Sequence, residues 1–288
     1  MIETLSQQTE PWLYLKIYTG TRFAENLLKD VLYPYWIDLR VKSTSNLWFF
    51  IRYSDPDFHL RFRLKFSNDS ACSSHLDIIS GMLYKMKISR SVWKVNAASY
   101  VPEYERYGRQ SMEMAEKIFC ADSNAFMQYL SLDHDLDEHA RWLYSIASIN
   151  SLLDDFAYTF EGKKDLLLEM NRSFGKEFGK DRKLAAQLSE RYRKYRGHIR
   201  ELLIDAGSPF DEILFKRSME HSKAVSAICK LYEAGKMDIT QNTLLSSFIH
   251  MSMNRIFRNN NRLHEMVIYD LLFRAYKESF HRSSSSKL

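Results

Sequence analysis

Basic side chains recur at every second position in the stretch HLRFRLKF, which begins at residue 59. They are His59, Arg61, Arg63 and Lys65. Successive side chains of a β-strand point to opposite faces, so one face would be basic and the other apolar. Arg61 and Arg63 would lie about 6.5–7 Å apart along the strand. At that spacing, their guanidiniums can each hold a carboxylate through paired hydrogen bonds. Ion pairs with Glu103 and Glu105, or simple exposure to solvent, explain the same pattern without a ligand.

A second polar segment, YVPEYERYG, ends at Gly108. It places Glu103 and Glu105 on either side of an aromatic residue, directly before Arg106 and Tyr107. Taken alone, this segment is typical of an ordinary loop that contains an ion pair.

The third segment, SFIHMSMNRIF, has the spacing of a helix and begins at residue 247. His250 and Asn254 are four residues apart, so they would share one helix face. Histidine can transfer protons near neutral pH, which would suit His250 if it faces a pocket. Because its sequence neighbours are apolar, a hydrogen-bonded histidine in the core is the alternative.

Common cofactor and metal motifs do not occur in the sequence. It has three cysteines and no CxxC pair, so neither a zinc site nor a disulfide framework is predicted. It also has no phosphate-binding GxxxxGK[ST], no GxGxxG, no GxSxG and no HExxH. We therefore expect no cofactor and no metal.

The first hundred residues alternate between strand and helix patterns. Strands are predicted at Trp12–Tyr18, Leu47–Tyr53, His59–Phe66 and Ser91–Tyr100, with a turn at Asp55–Asp57. Helices are predicted from Thr21 to about Val41, kinked or ended by Pro34, and from Ser70 to Lys87. The order β-α-β-β-α-β predicts a ferredoxin-like sheet region within an α+β fold.

After residue 100 the periodicity is almost entirely helical. Helices are predicted at 109–119, 122–132, 136–161, 163–174, 182–205, 209–235, 240–257 and 262–279. We expect one domain over residues 1–288, with an α/β subregion at 1–100, a helical subregion at 101–280 and a flexible tail at 281–288.

The overall composition narrows the class of partner. The chain has 288 residues, 45% of them hydrophobic, and a net charge of +5. This mild basic excess fits an anionic substrate or an acidic peptide, and it is too small to indicate direct nucleic-acid binding. No secretory signal or membrane-spanning run is visible, so a cytoplasmic protein without membrane insertion is expected.

In their order along the chain, WFFIRYSDPDFHLRFRLKF, YVPEYERYG and HMSMNRIF together resemble one family. It is the C-terminal elimination domain of lantibiotic dehydratases, with the similar stand-alone thiopeptide-type bacteriocin biosynthesis proteins. The resemblance extends from about Trp12 to Tyr276. The sequence departs from the family pattern at Arg109, where a second glycine is frequent, and at Ser252, where a second histidine is common.

The resemblance implies a reaction: elimination of glutamate from a glutamylated Ser or Thr of a ribosomal precursor peptide, leaving dehydroalanine or dehydrobutyrine. By matching the family's motifs, it also implies the site residues. The implied catalytic residues are Arg61, Arg63, Arg106 and His250. The implied substrate-binding residues are Arg52, His59, Glu103, Tyr107, Asn254 and Arg255.

The resemblance also implies a partner, because the glutamate must first be attached. We expect a separate glutamyl-tRNA-dependent glutamylation protein, and we leave open the possibility of a homodimer.

Two alternatives to the glutamate elimination reaction remain. One is a relative that performs a [4+2] cycloaddition of dehydroalanines to form the pyridine of thiopeptides. The other is a non-catalytic subunit that binds the precursor peptide.

Overall fold

A computed structural model describes residues 11–88, 90–132, 137–179, 181–204 and 207–285. The chain divides into two compact units, Met1–Pro102 and Glu103–Leu288. The first unit combines an antiparallel sheet with helices, and the second is helical, so the predicted α+β class is confirmed. The interpretation of residues 1–288 as one functional domain stays a prediction.

Four strands form a single antiparallel sheet in the first unit. They are β1 (Trp12–Thr19), β2 (Ser45–Ser54), β3 (Phe58–Phe66) and β4 (Val92–Ala98). Their order across the sheet is β2-β3-β1-β4, which places the basic strand β3 between two neighbours. The prediction that the four segments share one sheet is confirmed, as is the turn at residues 55–57. The ferredoxin-like label itself stays a prediction.

Helices cover one face of this sheet. They are α1 (Phe23–Leu27), a π-helical segment (Leu28–Leu32), α2 (Tyr33–Val41) and α3 (Asp69–Ile88). Leu60, Phe62 and Leu64 on the covered face are 0% exposed, as their alternation with the basic residues predicts. Complete burial of such side chains stabilises the fold by roughly 1.5–3 kcal/mol each.

The first helical region does not end at Pro34. Proline has no backbone N–H and breaks the regular i to i−4 hydrogen bonding. Here the turn before Pro34 widens into the π-helical segment, and α2 continues beyond it. A local widening of this kind accommodates the proline, so the predicted option in which the helix ends there is wrong.

The second unit is built from eight described helices. They are α4 (Tyr104–Tyr107), α5 (Met112–Leu130), α6 (Glu138–Asp155), α7 (Phe160–Glu177), α8 (Arg182–Ile204), α9 (Asp211–Glu233), α10 (Gln241–Ile256) and α11 (Asn261–Ser285). The last of these extends past the predicted end at residue 279, into the predicted tail. Residues 286–288 of that tail lie outside the described residues.

Helix α5 corrects one sequence prediction. Separate helices are predicted at 109–119 and 122–132, yet α5 is continuous through this boundary and through the polar run Asp122-Ser123-Asn124 that follows it. All three residues are buried, at 8%, 0% and 3% exposure, and each has a hydrogen-bond partner within the unit. Tertiary pairing therefore overrides the local preference of these residues for turns and helix ends.

Across the described residues, none of the helices combines the length and the apolar character that crossing a bilayer requires.

Candidate functional site

The sheet face opposite the helices, which we call the basic face, carries the alternating set of β3. The strand register adds Lys16 of β1, opposite Arg61, and places Lys94 of β4 opposite Tyr18 of β1. These lysines add to the charge of the β3 set, so the face presents a cluster of cations. Such a cluster favours an anionic ligand.

Arg63 is enclosed by aromatic rings on the basic face. The register places Tyr14 and Phe49 on either side of it. Its guanidinium carbon lies 4.4 Å from the Tyr14 ring centre, 4.9 Å from that of Phe49 and 5.3 Å from that of Tyr100. Arg63 is only 6% exposed. Ring faces stabilise a cation, and exclusion of water strengthens the charge-assisted hydrogen bonds that a guanidinium can make.

Arg61 is more accessible and is held by two neighbours. Its guanidinium carbon lies 3.4 Å from the Tyr53 ring centre, and its Nε donates to His59 Nε2 at 3.4 Å. Within the described part of the chain, no carboxylate lies within ion-pair distance of Arg61. The guanidinium is therefore oriented without being neutralised, which suits the binding of a carboxylate from a ligand.

The hydrogen bonds of His59 define its state. Its Nδ1 lies 2.9 Å from the Asp57 carbonyl oxygen, so Nδ1 donates while Nε2 accepts from Arg61. Burial lowers the pKa of His59, the hydrogen bond to Asp57 opposes that shift, and the charges of Arg61 and Lys16 add to it. A neutral His59 can therefore orient Arg61 without adding charge of its own.

Arg52 lies on the other face of the sheet. It is paired with Leu60 in the register, which places it under the helices. Its Nη2 donates to Glu25 Oε1 at 2.9 Å, and both side chains are almost fully buried. Arg52 thus stabilises the packing of α1 on the sheet and is not grouped with Arg61 and Arg63.

His250 lies on α10 of the second unit, at the centre of a short hydrogen-bonded chain. Its Nδ1 is 2.9 Å from Glu265 Oε1 on α11, and its Nε2 is 3.1 Å from the Asn254 side-chain nitrogen. Asn261 donates to the other end of the Asn254 amide at 2.9 Å. The His250 side chain is 27% exposed, so it is not the sealed core histidine that its apolar neighbours allow.

Glu265 is a partner of His250 that the sequence pattern does not predict. It lies 15 residues after His250, across the connection between α10 and α11, where spacing alone does not predict contact. Its side chain is 1% exposed, although glutamate is seldom buried without partners. A buried carboxylate against a partly exposed imidazole is a common arrangement in catalytic sites.

Arg106 belongs to the short helix α4, which packs against α10. Tyr107 is buried, and its ring stacks on that of Phe248 at 5.5 Å. Arg106 itself is half exposed, and its Nε lies 3.1 Å from the Glu103 carboxylate. Such exposed pairs contribute only about 0–1 kcal/mol. A ligand carboxylate can therefore replace Glu103 at little cost.

Gly108 fixes the exit of the chain from α4. Its φ is +73°, which favours glycine, and a Cβ at this position would meet Asp238 Oδ1 and Ser111 Oγ at 3.0 Å. We expect Gly108→Ala to destabilise the protein by about 1 kcal/mol or more. Gly197→Ala, in open space within α8, is the matched control and should be neutral or stabilising. Urea unfolding of both variants measures the difference, and equal midpoints would contradict it.

Arg255 lies in the interior of the helical unit. Its Nη1 donates to Asp122 at 2.9 Å and its Nε to Ser123 at 3.1 Å. Arg217 approaches the same carboxylate to 3.5 Å, and Ser252 donates to it at 3.1 Å. The family departure at Ser252 thus belongs to this buried cluster. Arg255 is therefore held by buried partners, and its role in substrate binding stays a prediction.

Seven of the ten predicted site residues therefore fall into three groups. Arg61, Arg63 and His59 share the basic face of the first unit, whereas His250 and Asn254 share a hydrogen-bonded chain in the second. Glu103 and Arg106 pair on α4. Packing contacts account for Arg52, Tyr107 and Arg255. The expectation that these three groups line one pocket stays a prediction.

Comparison with known proteins gives a family match over most of the chain. A sequence profile described as "Lantibiotic biosynthesis dehydratase C-term" matches residues 12–276. The subtilin biosynthesis protein SpaB of Bacillus subtilis is 24% identical over 284 residues, which cover 96% of this chain and 26% of SpaB. The chain thus spans about a quarter of the length of that relative.

Solved structures share the fold. The tRNA dependent lantibiotic dehydratase MibB from Microbispora sp. 107891 superposes with a TM-score of 0.75 at 21% identity, over 95% of this chain and 28% of MibB. The pyridine synthase TbtD from thiomuracin biosynthesis superposes with a TM-score of 0.62 at 11% identity, over 93% of this chain and 98% of TbtD.

Proposed function

The chain belongs to the lantibiotic biosynthesis dehydratase C-terminal family, and we propose that it removes glutamate from glutamylated Ser or Thr of a ribosomal precursor peptide. The products would be dehydroalanine and dehydrobutyrine. The observation that carries this proposal is the basic face, where Arg63 is walled by aromatic rings and Arg61 is oriented by His59. These two cations suit a glutamate that carries one free carboxylate and one ester.

The elimination breaks the Cα–H and Cβ–O bonds, and it forms the π bond of the alkene and a bond between the proton and the base. A base removes the Cα proton of the modified residue, the electron pair becomes the Cα=Cβ double bond, and the Cβ–O bond breaks. The ester oxygen leaves with the bonding electrons as part of the glutamate carboxylate. A carboxylate is a good leaving group, so this chemistry needs no metal and no cofactor to proceed.

The proposed roles follow from the environment of each residue. One of Arg61 and Arg63 anchors the free carboxylate of the glutamyl group. The other stabilises negative charge on the departing carboxylate or on the enolate oxygen. Arg106 exchanges Glu103 for a substrate carboxylate. His250 is the proposed proton-transfer group, with Asn254 beside its Nε2.

Arg63 is largely shielded from water, which suits the role proposed for it. Preformed donors aimed at developing charge stabilise a transition state far more where water is excluded. The ring centres of Tyr14 and Phe49 lie 4.4 and 4.9 Å from the guanidinium carbon, and the N–H donors of arginine lie in the plane of its guanidinium. A carboxylate approaching in that plane could form the paired hydrogen bonds that arginine favours.

We propose a glutamylated precursor peptide as substrate and a separate glutamyl-tRNA-dependent protein as its source. MibB is a tRNA dependent dehydratase, and this chain superposes on 28% of that longer protein. A cytoplasmic location suits such a partner. Neither direct nucleic-acid binding nor membrane insertion forms part of this proposal. The proposal is compatible with a homodimer.

A second candidate is the [4+2] cycloaddition, because this chain spans almost the whole length of the pyridine synthase. That reaction joins two dehydroalanines and has no glutamate to anchor. The cations of the basic face therefore favour elimination. A non-catalytic subunit that binds the peptide would need these cations for affinity alone.

Two substrates, incubated in parallel with the purified protein, distinguish the candidates. One is a peptide with a glutamylated serine, and the other is a linear peptide with two dehydroalanines at thiopeptide spacing. We expect mass spectrometry to show release of glutamate from the first and no change in the second. Conversion of the second alone would support the cycloaddition, and binding of both without turnover would support the peptide-binding subunit.

A further inference from the structure

We infer that Glu265 is a positioning residue for His250. It would hold the imidazole in the tautomer whose Nε2 is a free base and stabilise the imidazolium formed when that atom takes the Cα proton. This inference rests on the proposed function for its catalytic consequence. The tautomer itself is independent of that function and can be measured separately.

The direction of the hydrogen bonds defines the tautomer. Asn261 donates to Asn254 Oδ1, so the Asn254 nitrogen is the atom that faces His250 Nε2. That nitrogen is a donor, so Nε2 must accept. His250 Nδ1 must therefore carry the proton and donate it to Glu265 Oε1 at 2.9 Å. The lone pair on Nε2 is the proton acceptor. A bound substrate would displace the Asn254 amide from this lone pair.

The other oxygen of Glu265 is held by two donors. Arg262 donates to Glu265 Oε2 at 3.2 Å, and the Tyr269 hydroxyl donates to it at 3.3 Å. Burial and then the Glu265 charge raise the pKa of Tyr269, so its hydroxyl stays neutral and donates. Burial lowers the pKa of Arg262, but the Glu177 and Glu265 carboxylates raise it above its ordinary value. Both partners thus donate to Oε2, which leaves Oε1 to accept the hydrogen bond from His250 Nδ1.

This arrangement makes Glu265→Gln a sharp test. Arg262 and Tyr269 are donors, so the amide oxygen must face them and the amide nitrogen must face His250. His250 Nδ1 would then have to accept, and the proton would move to Nε2. The substitution preserves the side-chain volume. It removes the lone pair on His250 Nε2 that acts as the base, and it removes the carboxylate charge that stabilises the imidazolium.

We expect Glu265→Gln to lower kcat for glutamate release by about 10²–10⁴-fold, the usual contribution of a positioned base. KM should change little, because Glu265 is proposed to act through His250 and not on the substrate. Nitrogen-15 NMR of the histidine rings should show Nδ1 protonated in wild type and Nε2 protonated in the variant, with His250→Gln assigning the signal.

Asp270→Asn is the matched control on the same helix. Asp270 is also a buried carboxylate, and it accepts hydrogen bonds from Asn171 and Arg274. Its replacement should leave both kcat and the His250 tautomer unchanged. An equal loss of kcat in both variants would assign Glu265 to general stability and overturn the inference.

The wild-type tautomer gives a test that does not require the variant to fold. Protonation of Nε2 in the neutral wild-type ring would overturn the inference directly. Failure of the wild type to release glutamate, together with a tautomer that depends on Glu265, would contradict the proposed function while supporting the positioning of His250.

Discussion

Arg63→Ala is expected to lower the rate of glutamate elimination by about 10²–10³-fold, the usual loss when one preformed donor to a developing charge is removed. Arg63 lies between the rings of Tyr14 and Phe49, where little water competes for its hydrogen bonds. A substrate carboxylate would lose its charge-assisted partner there. Glutamylated peptide should accumulate, and mass spectrometry of timed reactions measures it.

Two variants sharpen this prediction. Arg63→Lys retains the charge but not the planar pair of donors, so it should restore activity only weakly. Lys65→Ala removes a charge from the same strand and face, beside the Trp12 ring, and should reduce activity far less. Equal turnover by wild type and Arg63→Ala, at matched thermal stability, would show that the basic strand is structural.

Asp122→Ala is expected to destabilise the helical unit by about 3–5 kcal/mol, because it leaves buried charge without compensation. Asp122 accepts a hydrogen bond from Arg255 at 2.9 Å, and Arg217 lies 3.5 Å away. Both arginine side chains are no more than 2% exposed. Urea unfolding followed by helical circular dichroism measures the change.

The control for this variant is an exposed ion pair in the same unit. Glu212 on α9 lies 2.6 Å from Lys216, and both side chains are exposed. Exposed pairs contribute little, so Glu212→Ala should leave the unfolding midpoint nearly unchanged. Similar midpoints for Asp122→Ala and Glu212→Ala would contradict the assignment of Asp122 to a stabilising buried cluster.

The sheet could be predicted from the sequence because its signal is local. Alternation of Leu60, Phe62 and Leu64 with basic residues fixes the two faces of β3, and all three are fully buried. The same alternation predicts which residues share the basic face. It does not predict that Arg63 is enclosed by Tyr14 and Phe49, because that depends on the register of neighbouring strands.

The polar network of the helical unit could not be predicted in this way. Asp122 and Arg255 are 133 residues apart, and the polar run around Asp122 is typical of a helix break. His250 and Glu265 are on different helices. Such pairs are set by how helices pack, whereas periodicity reports only which face of each helix is apolar. The buried environment of Arg255 likewise depends on its partner Asp122, which the spacing of residues along α10 does not predict.

The most direct test of the proposed reaction uses a peptide with deuterium at the Cα of its glutamylated serine, incubated with the wild-type protein. Elimination predicts that mass spectrometry will find free glutamate, dehydroalanine in the peptide and complete loss of the deuterium, because the Cα–H bond must break. Ester hydrolysis would also release glutamate, but it would return serine with its deuterium retained. That second result would contradict the account of this protein as a glutamate lyase.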